Sequence, residues 1–285
     1  VQKTFKGYCS DVYFSQAIKF LGRQHKAGKS TFIYLPMNAP HGPFDDVPEG
    51  LLKKYQGMDL RSTYLTPPNA QRYAKAKDKT ARIFAMEENV DENIGKLFAS
   101  LKQMGAYENT LVLFLNDNGP NGPRFVGRHR GNKGQIYEGG IRSPLLAHWP
   151  AQIRAGHTSD LLSAHYDVFP TILSASGVAK PKDLKLDGVS LLGALQGHKV
   201  ERSDRGIFLQ WHRGDQPVPY RNGAIVTARY KLLWPNYGGE IAPRKHAPEL
   251  YDLTADPKET TNLAQKKPEI LRQLKKRYDC WFSDV

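Results

Sequence analysis

Apolar residues recur along this chain at two periods, near 3.6 and near 2, and each change of period marks a new element. Across residues 11–26, Val12, Ala17, Ile18 and Leu21 fall at helical spacing, and the run ends in lysine, histidine and glycine, which stop helices. Residues 31–35, TFIYL, are a short run of β-formers and predict a strand, followed by a proline-studded loop over residues 36–48. Residues 51–79 are polar, with Pro67-Pro68 barring a continuous helix, and read as an irregular surface excursion over the rim of a site. From Thr80 onward, Ile83, Val90, Ile94, Leu97 and Leu101 make one apolar stripe of a long amphipathic helix that Gly105 ends.

The second half repeats the alternation with shorter elements. Residues 111–115, LVLFL, predict a buried strand that stops at Asn116-Asp117-Asn118-Gly119, and residues 143–149 predict another. Residues 166–176 read as a helix with Pro170 in its first turn and Asp167 as its cap. Residues 181–205, rich in Lys, Gly and Asp, read as a linker. Short β-like runs at 206–211, 223–228 and 230–234 predict a small antiparallel sheet, and residues 268–282 a closing helix with Ile270, Leu271, Leu274, Tyr278 and Trp281 inward. Strand, helix, strand in this order predicts an α/β fold: a mostly parallel sheet flanked by helices, followed by a small C-terminal antiparallel sheet plus helix subdomain. The expected division is residues 1–200 and 201–285.

Ligands of open α/β sheets bind outside the carboxyl ends of strands, which is where Asp117 and Asn118 are expected. A carboxylate beside an amide oxygen suits a hard divalent cation, although Asn118-Gly119 also fits a plain turn. Downstream, Gly131-Asn132-Lys133-Gly134 sets one lysine among glycines that let backbone approach a ligand closely, where an ammonium can meet an oxyanion. His41 stands between Pro40 and Gly42 in the first loop.

The segments LFLNDNGP and NKGQIYEGGIRSPLLAHWP, in that order and spacing, resemble the sulfatase family within the alkaline-phosphatase-like superfamily. FIYLPMNAPHGPF resembles the family's strand and loop that deliver an active-site histidine, and GAIVTARYKLLW with ELYDLTADPKETTNLA resemble its C-terminal subdomain. The resemblance implies that Asp117 and Asn118 are two ligands of Ca²⁺, with Mg²⁺ the second choice. It implies also that Lys133 binds sulfate and that His41 contacts sulfate and protonates the leaving oxygen. The family's nucleophile is a formylglycine made within a Cys/Ser-x-Pro-Ser-Arg motif. Cys9 is followed by Ser10-Asp11-Val12 and Ser143 by Pro144, so neither forms that motif. The family's early Asp-Asp metal pair is likewise not found, and the resemblance reads as one to the C-terminal portion of the family. Arg128, His129, Trp211, His212 and Arg213 supply a ring and basic groups for a sugar bearing sulfate, or else a solvated basic face.

Composition narrows the partners. A formal charge of +13 over 285 residues favours polyanions. No recognition helix, zinc-ligand spacing or aromatic-basic motif marks a nucleic-acid module, so a sulfated small molecule or glycan is the expected anion. No apolar run reaches the roughly 18 residues of a membrane span. Cys9 and Cys280 are too few for a disulfide scaffold, and neither they nor anything else in the sequence fixes an oligomeric state. By resemblance the expected location is periplasmic or secreted; no signal segment opens the given sequence. Three functions fit: a sulfatase inactive as given, a phosphomonoester or phosphonate hydrolase of the same superfamily, and a noncatalytic polyanion-binding protein.

Overall fold

The computed structural model describes residues 4–64, 66–200, 204–212, 214–235 and 247–284. The chain forms two compact units, Val1–Thr110 and Leu111–Val285.

The spine of the first unit is a 34-residue helix, α3 (Ala70–Gln103), with α1 (Cys9–Lys26) and α2 (Glu49–Gly57) packed on it. Asn69 caps α3 by accepting from Arg72 N at 2.9 Å, and Gly105, with φ +68°, turns the chain out of it. Asp11 of α1 accepts from Asn89 Nδ2 at 2.9 Å and Asn93 Nδ2 at 2.7 Å, so a polar pin fastens the two helices. On the side of α2, Leu51, Leu52 and Tyr55 pack toward the buried Val47, Ala85 and Met86.

Two expectations for this unit are corrected. Residues 51–79 are not an irregular excursion: α2 begins at Glu49 after Pro48, and α3 begins ten residues before Thr80. The Pro67-Pro68 break is real, but it falls between two helices. Residues 31–35 form no strand. They carry no regular secondary structure, with Phe32 67% and Tyr34 77% exposed, because a strand needs a neighbour for its N–H and C=O groups and none of the described residues supplies one.

In the second unit, β1 (Val112–Leu115) pairs with β2 (Leu145–His148), Val112 opposite His148 and Leu115 opposite Leu145. Between them lies a one-turn helix, α4 (Glu138–Ile141). After α5 (Val168–Ser176) and the short α6 (Leu192–Leu195) come β3 (Gly206–Gln210), β4 (Gly223–Thr227), β5 (Tyr230–Trp234) and β6 (Glu249–Asp252), an antiparallel meander closed by α7 (Pro268–Ser283). The strand alternation sorts the sheet's residues to two faces. Ile225, Leu232, Trp234 and Leu250 meet Leu274 and Tyr278 of α7, while Ala224, Leu233 and Tyr251 meet Ile136 and Tyr137 on the other side. That second face is what seats the lysine-bearing loop.

The expected α/β class with a C-terminal antiparallel sheet and helix is what the chain forms. Its parallel component is corrected: every strand pairing among the described residues is antiparallel, and β1 is half-buried rather than buried. Asp167 does not cap α5 through its side chain. It is fully buried, accepting from Ala164 N at 2.7 Å and Val189 N at 2.9 Å and pairing with Arg205 at 2.6 Å, which offsets the cost of its buried charge. The Val189 bond and the buried Leu191 and Ala194 also show that residues 181–205 are packed in part, not a free linker.

Candidate active site

Backbone contact between glycines builds the site. Asn116, Asp117, Asn118 and Gly119 leave the end of β1, and Gly119 N donates to Gly140 O, within α4, at 2.9 Å. A Cβ on Gly119 would stand 2.9 Å from the Gly139 carbonyl carbon, and one on Gly139 would stand 2.7 Å from Arg130 O. Only glycine allows these approaches. The intervening loop is closed by Lys133 N to Pro120 O at 3.0 Å, Gln135 N to Asn132 O at 3.0 Å and Gly139 N to Arg130 O at 2.7 Å. Asn116 O accepts from Ser143 Oγ at 2.8 Å and lies 2.9 Å from His165 Nε2, which fixes the strand end.

The result is a pocket of about 670 Å³ within the second unit, lined by Asn118, Asn132, Lys133, Gln135, Gln210 and Trp211, among others. Lys133 is the one charged residue among the described lining. Its ammonium has no partner among the described residues, so an anion entering the pocket meets an uncompensated positive charge. Around it stand amide side chains, which hydrogen-bond in either direction, and one indole. That combination suits a polar ring carrying a single anionic group.

Asn118 Oδ1 is buried and has no hydrogen-bond partner among the described residues. An orphaned acceptor of this kind costs free energy unless something else satisfies it, and a hard cation would. Asp117 beside it is exposed and free to turn an oxygen toward the same ion. Among the described residues, no group of three or more His, Cys, Asp or Glu side chains gathers elsewhere into a metal cluster. The Asp117 carboxylate and the Asn118 amide oxygen are donors of the kind a hard divalent ion takes.

The other residues singled out by sequence are placed as follows. His41 lies in the first unit, exposed, its N–H donating to Asn38 O at 2.8 Å and its Nδ1 2.8 Å from Gly42 O. Its loop is fastened to α3 where Arg82 Nη1 donates to Phe44 O at 2.8 Å. Trp211 lines the pocket; Arg128 and His129 do not. Arg128 is exposed with φ 66°, and His129 Nδ1 lies 3.0 Å from Pro257 O. His212 Nδ1 is buried with no partner among the described residues, and Arg213 lies outside the described residues. Sequence reasoning missed Asn132, Gln135 and Gln210 as lining residues. Asn132 sits inside the glycine motif and was legible there, whereas Gln210 reaches the pocket only because β3 packs beside the loop.

The family model described as Sulfatase matches residues 1–178, and that described as N-sulphoglucosamine sulphohydrolase, C-terminal, matches residues 128–280. The Escherichia coli K12 protein named uncharacterized sulfatase YdeN is 35% identical over 94% of this chain and 49% of its own length. The N-acetylgalactosamine-6-sulfatase of Canis lupus familiaris is 32% identical over 82% of this chain and 40% of its own length. The N-acetylglucosamine-6-O-sulfatase of Bacteroides thetaiotaomicron is 30% identical over 78% of this chain and 38% of its own length. The solved structure of Ps i-CgsB in complex with k-i-k-neocarrahexaose shares the fold, with a TM-score of 0.77 at 24% identity, over 98% of this chain and 56% of that one. This chain spans half or less of the length of the curated relatives it matches. With a family model covering residues 1–178 and a relative 35% identical along nearly all of it, the chain belongs to the sulfatase family.

Proposed function

We propose that this chain takes part in hydrolysing sulfate esters of a sulfated carbohydrate, with the pocket around Lys133 receiving the sulfate-bearing ring. The observation that carries this is the placement of Lys133 and of Asn118, whose buried Oδ1 has no partner among the described residues, in the lining of one pocket. Relatives named for N-acetylgalactosamine 6-sulfate and N-acetylglucosamine 6-O-sulfate support the carbohydrate class, and Trp211 gives a sugar ring an apolar face to rest on. In this proposal the Lys133 ammonium neutralises charge on the nonbridging sulfate oxygens as it develops. His41 is proposed as the group that gives a proton to the leaving alkoxide. Asp117 and Asn118 would hold the divalent ion, Ca²⁺ in the first instance and Mg²⁺ in the second, which would supply further positive charge. Substrate selection is proposed for Arg128, His129, Trp211, His212 and Arg213. The domain division proposed is a portion of the catalytic domain over residues 1–200 and a small α+β subdomain over residues 201–285. The setting proposed is the periplasm or the outside of the cell.

The nucleophile is not among these groups. No Cys/Ser-x-Pro-Ser-Arg motif occurs in the 285 residues, so formylglycine chemistry requires residues beyond them. Release of a chromogenic phenol from its sulfate ester tests the proposal. The 285-residue chain is expected to give no turnover, with or without Ca²⁺, and a longer polypeptide carrying the matured motif to give turnover that Lys133→Ala abolishes. Turnover indifferent to Lys133 would sink it, and preference for a phosphate ester would shift the assignment to phosphoryl chemistry. The net charge of +13 favours a second function, noncatalytic polyanion binding. Salt-dependent retention on heparin that ignores both Ca²⁺ and Lys133 would select it.

A further inference from the structure

Lys133 has no side-chain partner among the described residues, so its place in the pocket is set by the backbone that carries it. That backbone is held at three points. At its start, the Arg130 guanidinium lies 3.9 Å from the centre of the Tyr137 ring and donates to Tyr251 Oη at 2.8 Å and Glu259 O at 3.2 Å. In its middle, Asn222 Nδ2 donates to Gly134 O, one residue past the lysine, at 3.2 Å. At its end, Glu138 N donates to Glu259 Oε2 at 2.8 Å.

The last point is also a buried charge cluster. Lys231, with no exposed side-chain surface, pairs with Glu138 at 2.9 Å and with the equally buried Glu259 at 2.8 Å. Burying three charges is costly and gains little over an apolar packing of the same volume, so stability alone is a poor account of why they are there. Burial pushes the Glu259 carboxyl above the ordinary glutamate range, against the pull of Lys231. Glu259 has φ 56° and Asn222 φ 50°, left-handed values that cost free energy in any residue with a side chain. Two strained residues thus reach the same loop from opposite ends of the four-stranded sheet, and both do so through hydrogen bonds.

We infer that Glu259, locked by Lys231 and Glu138, is a positioning residue for Lys133, with Asn222 as its second support. The C-terminal sheet is therefore a mould for the anion-binding loop as well as a flank of the pocket. This inference rests on the proposed role of Lys133 in meeting sulfate.

The test uses the 285-residue chain and two readouts, inorganic sulfate affinity and amide hydrogen exchange. Glu259→Gln keeps the shape and removes the charge. It is expected to speed exchange at Lys133 and Gln135 about tenfold or more while leaving α3 unchanged, and to weaken sulfate about tenfold. In a Lys133→Ala background it is expected to change sulfate affinity no further, a coupling that a general loss of stability would not produce. Unchanged exchange in the loop overturns the inference, and so does an equal loss of sulfate affinity with and without Lys133. Sulfate affinity indifferent to Lys133 in the otherwise unaltered chain overturns the proposed function instead, and loop exchange then decides the positioning role alone. Should Glu259→Gln not fold, Asn222→Gly adopts the same φ without strain and is expected to show the same faster exchange; protected amides in that variant overturn the inference.

Discussion

Gly119 and Gly139 meet backbone to backbone, with no room between them for a single methyl group. This contact joins the loop carrying Asp117 and Asn118 to the one carrying Lys133. Gly119→Ala therefore cannot be absorbed by moving a flexible side chain. It is expected to cost about 3 kcal/mol, the upper range for overpacking, read as a lower urea midpoint, and to abolish sulfate binding. A variant of unchanged midpoint would show that the two loops part more easily than their geometry implies.

Asn118 is expected to trade stability against metal binding. Its buried Oδ1 has no partner among the described residues, so Asn118→Ala removes an unsatisfied acceptor and should be neutral or slightly stabilising in chelator. The same change should erase any rise in Tm that Ca²⁺ gives the unaltered chain. Equal calcium shifts in both proteins would place the ion elsewhere.

Asp256 organises the turn that presents Glu259. It accepts from Thr260 N at 2.8 Å, Thr261 N at 2.8 Å and Thr260 Oγ1 at 3.0 Å, and its own carbonyl accepts from Glu259 N at 3.2 Å. Partial burial alone would raise its pKa, but these hydrogen bonds outweigh that and hold the carboxyl below the ordinary aspartate range. An acid with a depressed folded value stabilises the fold above its unfolded value and loses that contribution as pH falls through the folded one. Asp256→Ala should accordingly cost about 1 kcal/mol at pH 7, and the difference from the unaltered chain should shrink below about pH 4. A difference that stays constant from pH 7 to pH 3 would refute the charge-based account.

Tyr278 is fully buried in the α7 interface, and its hydroxyl donates to Gln210 Oε1 at 2.6 Å. Tyr278→Phe keeps the ring packing and strands the amide oxygen, at a cost of about 1–2 kcal/mol. Because Gln210 also lines the pocket, a small loss of affinity for a sulfated monosaccharide should accompany the loss of stability in thermal and titration measurements.

Local signals carried much of this fold. The Leu274 and Tyr278 stripe of α7, the helix from Thr80 to Gly105 and the β1 run ending in Asn-Asp-Asn-Gly each follow a period or a stop signal contained in the segment itself. β6 was missed because Glu249 to Asp252 offers only Leu250 and Tyr251 between two acids, too short to stand out until β5 pairs with it. The parallel sheet was inferred from the order of elements, and order does not fix which strands meet. At the site, Asn118 and Lys133 are visible because glycines mark the close approaches around them. Lys231 and Glu259 are not, since a lysine in a β-run and a glutamate in a polar turn look solvated until the third dimension buries them together.

Residues 31–35 carry a further consequence. A run of β-formers that pairs with no strand among the described residues, with Phe32 and Tyr34 exposed, is expected to offer its backbone and rings to another copy of the chain, as an unpaired strand edge does. At the concentrations used for crystals or spectroscopy, the 285-residue chain should self-associate through this edge, more strongly as salt screens its +13 charge. A lysine in place of Tyr34 should keep it dispersed.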